Sequence, residues 1–263
     1  MAMTEQRQCK KIAFLAPRPD LDPQAFATYW RDTHGPTVAH APGYAAYRTR
    51  YAQNHRIGDG PVGAPFPYPG AALFHLPGDG SNEAEFSASA TYQDHIRVDE
   101  LNFIDMAQTL SMAATECVIR AGTGPVKLLT LGIRRDGVER DQFDRRLRDA
   151  CTDALRDASG FADHLRGWTL NHIVEGSFQL PGARQADAFA VDCIQEMWFA
   201  DEQALAAAFD SPDYRDNLAK ALGELFATPH SYSFHAREIV FFDAGRPIDG
   251  AARECRNPPL ASA

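Results

Sequence analysis

Two histidines of this chain have neighbours whose types and spacing could move a proton. His34 falls four residues after Trp30 and eight after Phe26, so the three share one stripe of a helix. An imidazole there can serve as general acid or base, because its charge changes near neutral pH. Packing alone would account for Phe26 and Trp30, and a helix C-terminal histidine bonding the last carbonyls would account for His34. The second histidine ends an alternating run: Tyr47, Thr49, Tyr51, Gln53 and His55 share one face of a strand. Two phenols and an imidazole on one face suit a cavity wall, where rings flank a planar ligand and hydroxyls hold its oxygens. Cross-strand aromatic packing, with His55 bonded to a backbone carbonyl, is the competing reading. Residues 56–70 (RIGDGPVGAPFPYPG) follow with no period and many glycines and prolines. They read as a binding loop whose Phe66 and Tyr68 cover a ligand, or as a solvated excursion.

The elements that must carry these residues occur twice. Laying residues 19–55 on 136–172, a shift of 117, needs no gap. Phe26 meets Phe143, Gly43 meets Gly160, Tyr51 meets Trp168, and Asn54-His55 meets Asn171-His172. Apolar runs at 11–16 and 127–133 predict buried strands. Asp22-Pro23 is an N-cap with proline at the first helical position, and His34-Gly35-Pro36 is expected to stop that helix. Strands are expected at 44–54 and 161–171, third strands at 71–76 and 188–199, and fourth strands at 115–120 and 233–242. Helical stretches at 82–89, 94–103, 201–209 and 214–225 precede the fourth strands. The order β-α-β-β-α-β is the ferredoxin-like arrangement. Two such sheets in one chain would bury their open faces on each other. The expected fold class is therefore α+β, with halves at 1–121 and 126–243, a tight linker between them, and a tail at 244–263. Arg48 and Arg50 would take the face opposite Tyr51 and pair with carboxylates between the halves.

Composition narrows the partners. A net charge of −9 without a basic run excludes the footprint that nucleic acid needs. No apolar window is long enough to span a bilayer, and the start lacks a signal-peptide core. Five scattered cysteines, none in a CxxC, suit reduced thiols in a cytoplasm. No histidine spacing builds a zinc site, and no GxGxxG, P-loop or GxSxG occurs, so no metal or nucleotide cofactor is expected. A haem needs only one axial histidine, which spacing does not exclude. A hydrophobic small molecule is the expected partner, met by a pseudo-dimeric chain that can pair again as a homodimer.

The run from Arg18 through Phe26, Tyr29-Trp30-Arg31 and Thr33-His34-Gly35-Pro36 resembles the EthD family, whose hallmark is YWR-x-x-HGP. The second half has Leu147 for Trp30 and Cys151 for His34, which places the larger, more polar cavity in the first half. The resemblance implies a dimeric α+β barrel with cavities between sheets and helices. It implies ether-degradation accessory proteins, decarboxylases and dehydratases of aromatic or polyketide products, or cofactor-free monooxygenases, with haem binders more distant. The expected activity is a cofactor-independent lyase, a decarboxylase or dehydratase of an aromatic or polyketide-like molecule. His34 and His55 would transfer the proton in one shared pocket. Tyr47 and Tyr51 would hold substrate oxygens, and Phe26, Trp30, Phe66 and Tyr68 would line the apolar part. The alternatives are a cofactor-free or haem-dependent monooxygenase and a non-enzymatic binding protein of a degradation or biosynthetic pathway.

Overall fold

Short apolar runs set the frame in the computed structural model, which describes residues 8–156, 160–177, 191–227 and 232–248. β1 (Cys9–Phe14) and β6 (Val126–Gly132) are buried along almost their whole length, as strands covered on both faces must be. The first strand leads to β2 (Arg50–Asp59), a two-residue β3 (Ala64–Pro65), β4 (Gly70–His75) and β5 (Leu110–Arg120). The second set is β6, β7 (Leu165–Ile173), β8 (Cys193–Phe199) and β9 (Tyr232–Asp243), with β10 (Arg246–Pro247) folded back on β9. The long strands pair antiparallel in the order β9-β2-β4-β1-β5-β7-β8-β6, and β6 pairs with β9 to close an eight-stranded barrel. Within each set the order is second, third, first, fourth strand. Each fourth strand then pairs with the second strand of the other set: β5 with β7, β9 with β2.

The registers repeat as the sequence does. Lys10 stands opposite His75 and Ala114, and Lys127 stands opposite Trp198 and Ala236. The shift is thus 117 on the first strand (10 to 127), 123 on the third (75 to 198) and 122 on the fourth (114 to 236). The added residues fall in the β7–β8 connection, of which 178–190 lie outside the described residues, as do the start of the strand expected at 188–199 and most of the tail.

Three large apolar cores result, beside a small cluster of Ala52, Val240 and Ile248. One fills the barrel, with Ile12, Phe14, Leu73, Met112, Leu129, Leu131, Ile194 and Phe234. The other two lie outside it, between each set of strands and its helices. The barrel interior also carries charge. Glu196 is 2% exposed and receives the ammonium groups of both Lys10 (2.7 Å) and Lys127 (2.6 Å). Lys10 pairs further with Glu116, and Lys127 with Glu238 (2.5 Å), which also holds Arg50 (2.6 Å). The pairs Lys10–Glu116 and Lys127–Glu238 are related by the repeat; Glu196 has Leu73 as its counterpart and joins them.

Helix α1 (Pro23–Tyr29) starts as the sequence predicts: Asp22 Oδ1 accepts from the amides of Gln24 and Ala25, both 2.9 Å. It does not stop at His34-Gly35-Pro36. A π turn (Trp30–His34) carries it into α2 (Gly35–Ala39), with the Gly35 amide reaching back to the Trp30 carbonyl. Widening by one residue is a known way of accommodating the proline that follows. A Cβ on Gly35 would lie 2.3 Å from the Phe241 ring, so glycine here lets the helix rest on β9. After β4 come α3 (Glu83–Ala88), a π turn (Thr91–Ile96) and α4 (Arg97–Glu100). The second set carries α5 (Arg140–Ala154), α6 (Phe161–His164), α7 (Glu202–Asp210), a π turn (Tyr214–Leu218) and α8 (Ala219–Leu225).

Candidate functional site

Because the helix continues past His34, its imidazole is free of capping duty, and His40 instead bonds the Pro36 carbonyl (2.9 Å). His34 turns toward α4, where its Nδ1 meets Asp99 Oδ2 at 2.7 Å. Tyr29, one turn earlier, donates to the other oxygen of Asp99 (2.7 Å), and Asn102 donates to Tyr29 (3.2 Å). Phe103 packs on the imidazole with ring centroids 4.8 Å apart. Burial alone would raise the Asp99 pKa, but the hydrogen bonds from His34 and Tyr29 outweigh it and hold the carboxyl below its ordinary value. An ionised Asp99 fixes the His34 proton on Nδ1, which leaves Nε2 as a lone-pair base.

His34 lines a narrow cavity between the first strands and their helices. Ala13, Leu15, Ala72, Phe74, Phe86 and Ile104 make its apolar walls. Glu100, the neighbour of Asp99, enters the same space. Burial raises its pKa more than the nearby imidazole lowers it, and Tyr92 donates to it at 2.8 Å. A carboxyl so placed holds its proton more firmly than a solvated one. At another wall the Arg48 guanidinium, 2% exposed, lies 4.0 Å from the Phe86 ring centre and 2.6 Å from Glu83 Oε1. Lys11 holds the other Glu83 oxygen at 2.7 Å. Lys11 and Glu83 also line an outer cleft of about 170 Å³, so this ion pair is the wall between cavity and surface. The space is only about 40 Å³, room for a few waters, and a substrate of one or two rings enters only with a shift of the lining side chains.

The structure brings only some of the expected residues here. His34 lines this cavity; His55 lines a separate, open concavity of about 650 Å³ with Phe26 and Trp30, so the two histidines do not share a pocket. Phe26 and Trp30 are 0% exposed and serve as core. His55 stacks on Trp30 (4.3 Å) and bonds Gln53 Oε1 (2.7 Å), and burial, aided by Arg31 and Arg237, holds its pKa down at about 3. It stays neutral at ordinary pH and cannot alternate between acid and base. Tyr51 is fully buried, stacked on Phe74 and bonded by Gln53. Tyr47 is not on β2 at all, because residues 44–46 form a 3₁₀ turn and the strand starts at Arg50. Its hydroxyl donates outward to Glu85 (3.2 Å). The same turn places Arg48 on the cavity side, while Arg50 pairs with Glu238 of the second set as expected. Phe66 is no lid: it stacks on Phe234 inside the barrel mouth, and Tyr68 packs beside it and donates to the Gln108 carbonyl. Asp99, Glu100, Arg48 and Tyr44 were not singled out as reactive from sequence.

Comparison with known proteins now bears on this site. The EthD domain matches residues 18–107 and again 135–229, well over half of the chain. The chain belongs to the EthD family. A search of curated proteins finds no match. Among solved structures, a protein of Lactobacillus acidophilus NCFM, provisionally titled a monooxygenase, is 10% identical with a TM-score of 0.52, covering 92% of this chain and 98% of its own. Another, of Fusobacterium nucleatum with the same provisional title, is 8% identical with a TM-score of 0.54, covering 94% and 98%. At that identity the likeness is one of fold.

The two EthD segments are not equivalent. On the shift of 117, Lys11, His34 and Arg48 correspond to Leu128, Cys151 and Leu165. Past the β7–β8 connection, Ser89 and Ser211 play the same part, each bonding a carbonyl three residues back, which sets the helix shift at 122. Glu83, Asp99 and Glu100 then correspond to Leu205, Ala221 and Leu222. Leu128, Cys151, Leu165, Leu205 and Leu222 all lie in the core between the second strands and their helices. The cavity at His34 belongs to the first EthD segment, but at about 40 Å³ and with mainly apolar walls it is not the larger, more polar cavity that the Trp30/His34 asymmetry leads one to expect there. A larger polar cleft, about 470 Å³, opens on the second instead, lined by Asp144, Arg145, Arg148 and His172, with His172 bonded to Asp144 (2.8 Å).

Proposed function

We propose that the chain is a lyase that removes water from an apolar cyclic or aromatic molecule, with His34 as base and Glu100 as acid. His34 Nε2 takes a proton from the carbon beside a carbonyl, and the C–H pair becomes the double bond of an enolate. The enolate expels the hydroxyl on the next carbon, which leaves as water on taking the Glu100 proton. Return of the proton from His34 to Glu100 resets the pair, so the reaction consumes no co-reactant. Asp99 positions the imidazole and offsets its charge, an arrangement worth several orders of magnitude in comparable triads. The observation that carries this reading is that Lys11, His34, Arg48, Glu83, Asp99 and Glu100 give way, position by position, to leucine, cysteine or alanine in the second half, while Tyr92 is kept as Tyr214. Decarboxylation, the other lyase reaction expected from the sequence, would use His34 only to protonate the product carbon and would leave the buried acid Glu100 without a part. A porphyrin does not fit a space of about 40 Å³, and no step is routed through haem.

This reading rests on a pseudo-dimer of two ferredoxin-like halves, 1–121 and 126–243, with a tail from 244. It works in the cytoplasm on a hydrophobic small molecule. A panel of cyclic β-hydroxy ketones, followed by absorbance of the conjugated product, tests it. Wild-type turnover should be lost in His34→Asn and Glu100→Gln with folding intact. Turnover surviving in His34→Asn refutes the mechanism, and substrate-dependent oxygen uptake would replace it with the oxygenase alternative.

A further inference from the structure

Two buried polar atoms of this cavity have no protein partner. Tyr44 is 2% exposed, yet its hydroxyl makes no hydrogen bond among the described residues. Arg48 is as deeply buried, and its Nε–H is likewise without a hydrogen bond. Its bond to the Tyr47 carbonyl and its ion pair with Glu83, whose Oε1 also accepts no hydrogen bond, both run through Nη1. The two groups are neighbours. Burial raises the Tyr44 pKa well above its ordinary value, and the Arg48 charge is the chief opposing influence. Leaving one buried donor unpaired is costly, and evolution rarely leaves two side by side without an acceptor to share.

Charge points the same way. Among the described residues, Glu83 is the carboxylate that pairs with both Lys11 and Arg48. This end of the cavity therefore has a surplus positive charge, in a setting where Phe74 and Phe86 exclude water. Donors plus a net cation, walled by apolar rings, recognise an anionic oxygen carried on an apolar frame. In the second half, where no such anion is held, Tyr44 and Arg48 become Phe161 and Leu165, and Lys11 becomes Leu128.

We infer that Tyr44 Oη and Arg48 Nε form an oxyanion-binding corner, so that the ligands of this cavity are apolar molecules with one oxygen that is anionic or becomes so in the reaction. The inference rests on the cavity being the reactive site, and it extends that reading by fixing which end of the substrate faces away from His34. In the dehydration step this corner receives the enolate oxygen.

Binding tests it independently of turnover. Benzoate and its neutral isostere benzamide are titrated into the full-length protein by calorimetry, and 4-nitrophenol by the visible absorbance of its phenolate. Benzoate should bind at least tenfold tighter than benzamide if the corner takes carboxylates. A rise in the phenolate fraction of 4-nitrophenol at fixed pH shows that it takes phenolates and enolates. Tyr44→Phe, which deletes only the unpartnered hydroxyl and preserves the ring, should erase most of that preference; Arg48→Met should erase the rest. His34→Asn should leave it within about threefold. Equal affinity for benzoate and benzamide with no phenolate enrichment, no binding of any probe at millimolar concentration, or a preference that survives Tyr44→Phe and Arg48→Met overturns the inference. Preference without any dehydration activity would instead overturn only the lyase reading.

Discussion

Replacing Glu196 with leucine should cost this protein a large part of its stability. The barrel sets Lys10, Lys127 and Arg50 against Glu116, Glu196 and Glu238, and Arg50 also meets Asp243 at 3.6 Å. Glu196 answers two of the cations at once, and both lysine side chains are at most 3% exposed. Without it each lysine loses one of its two carboxylates, and the buried ammonium charge that Glu196 answered is left to Glu116 and Glu238. Breaking a buried pair in this way costs about 3–5 kcal/mol, against a total of about 5–15 kcal/mol for a typical fold. With a urea slope near 3 kcal/mol/M, the midpoint should fall by about 1–1.7 M. Adding Lys10→Met removes one of these ammonium groups, and Glu116 is close enough to water to stand alone. The double variant should therefore be more stable than Glu196→Leu, with a coupling of about 1–3 kcal/mol. Urea melts followed by circular dichroism measure both quantities. A loss under about 1 kcal/mol for Glu196→Leu, or simple additivity in the double variant, refutes the reasoning.

Other outcomes follow from the same geometry. The lysines hold Glu196 and Glu238 below their ordinary carboxyl values against the opposing effect of burial, Glu238 at about 2. Their contribution is complete above the unfolded value, about 4.3, and is lost as pH falls toward 2, so the acid limb of a stability-against-pH curve should be shallower in Glu196→Leu. Glu100 has the opposite sign: burial raises its folded pKa, so it weighs against folding as pH climbs past the unfolded value. Glu100→Leu should raise the neutral-pH melting temperature while abolishing turnover, and Leu222→Glu, which buries an unpaired carboxyl in the second half, should lower it sharply. Asp99→Asn should cut turnover about 10²–10⁴-fold and reshape its pH profile while leaving benzoate affinity nearly unchanged. Gly35→Ala drives a methyl against the Phe241 ring and should cost about 1–3 kcal/mol in a thermal melt.

The sequence displayed the duplication well, because ungapped landmarks such as Asn54-His55 and Asn171-His172 sit on paired strands whose register is rigid. It displayed His34 as well, since the YWR-x-x-HGP run is local. The partners of His34 were harder to see. Asp99 and Glu100 lie 65 residues and more away, on a short helix of ordinary composition, and only the fold brings them to the imidazole. A usable signal existed: carried past the β7–β8 connection with its shift of 122, the repeat sets Asp99-Glu100 against Ala221-Leu222. The errors on Tyr47 and Arg48 share one cause. A period of two was extended back through residues that form a 3₁₀ turn, which reverses the faces of everything before Arg50. The helix stop at Gly35-Pro36 failed because a π turn absorbed the proline one turn earlier.

The short connection from β5 to β6 has a further consequence. Its glycines run so close to β7 and β8 that a Cβ at Gly122 or Gly124 would meet the carbonyl oxygen of Arg166 or Phe199 at about 2.1 or 2.2 Å. A barrel assembled from two separate chains comes apart on dilution, and its working fraction tracks expression level. Here the two partners are held permanently within a few residues of each other, so closure is a first-order event. Specific activity should stay flat across dilution, with ligand saturating at one per 29.0 kDa. The second half, with leucine or cysteine where the first has Arg48, Glu100 and His34, is free to serve as a permanent subunit, never exchanged and never in short supply.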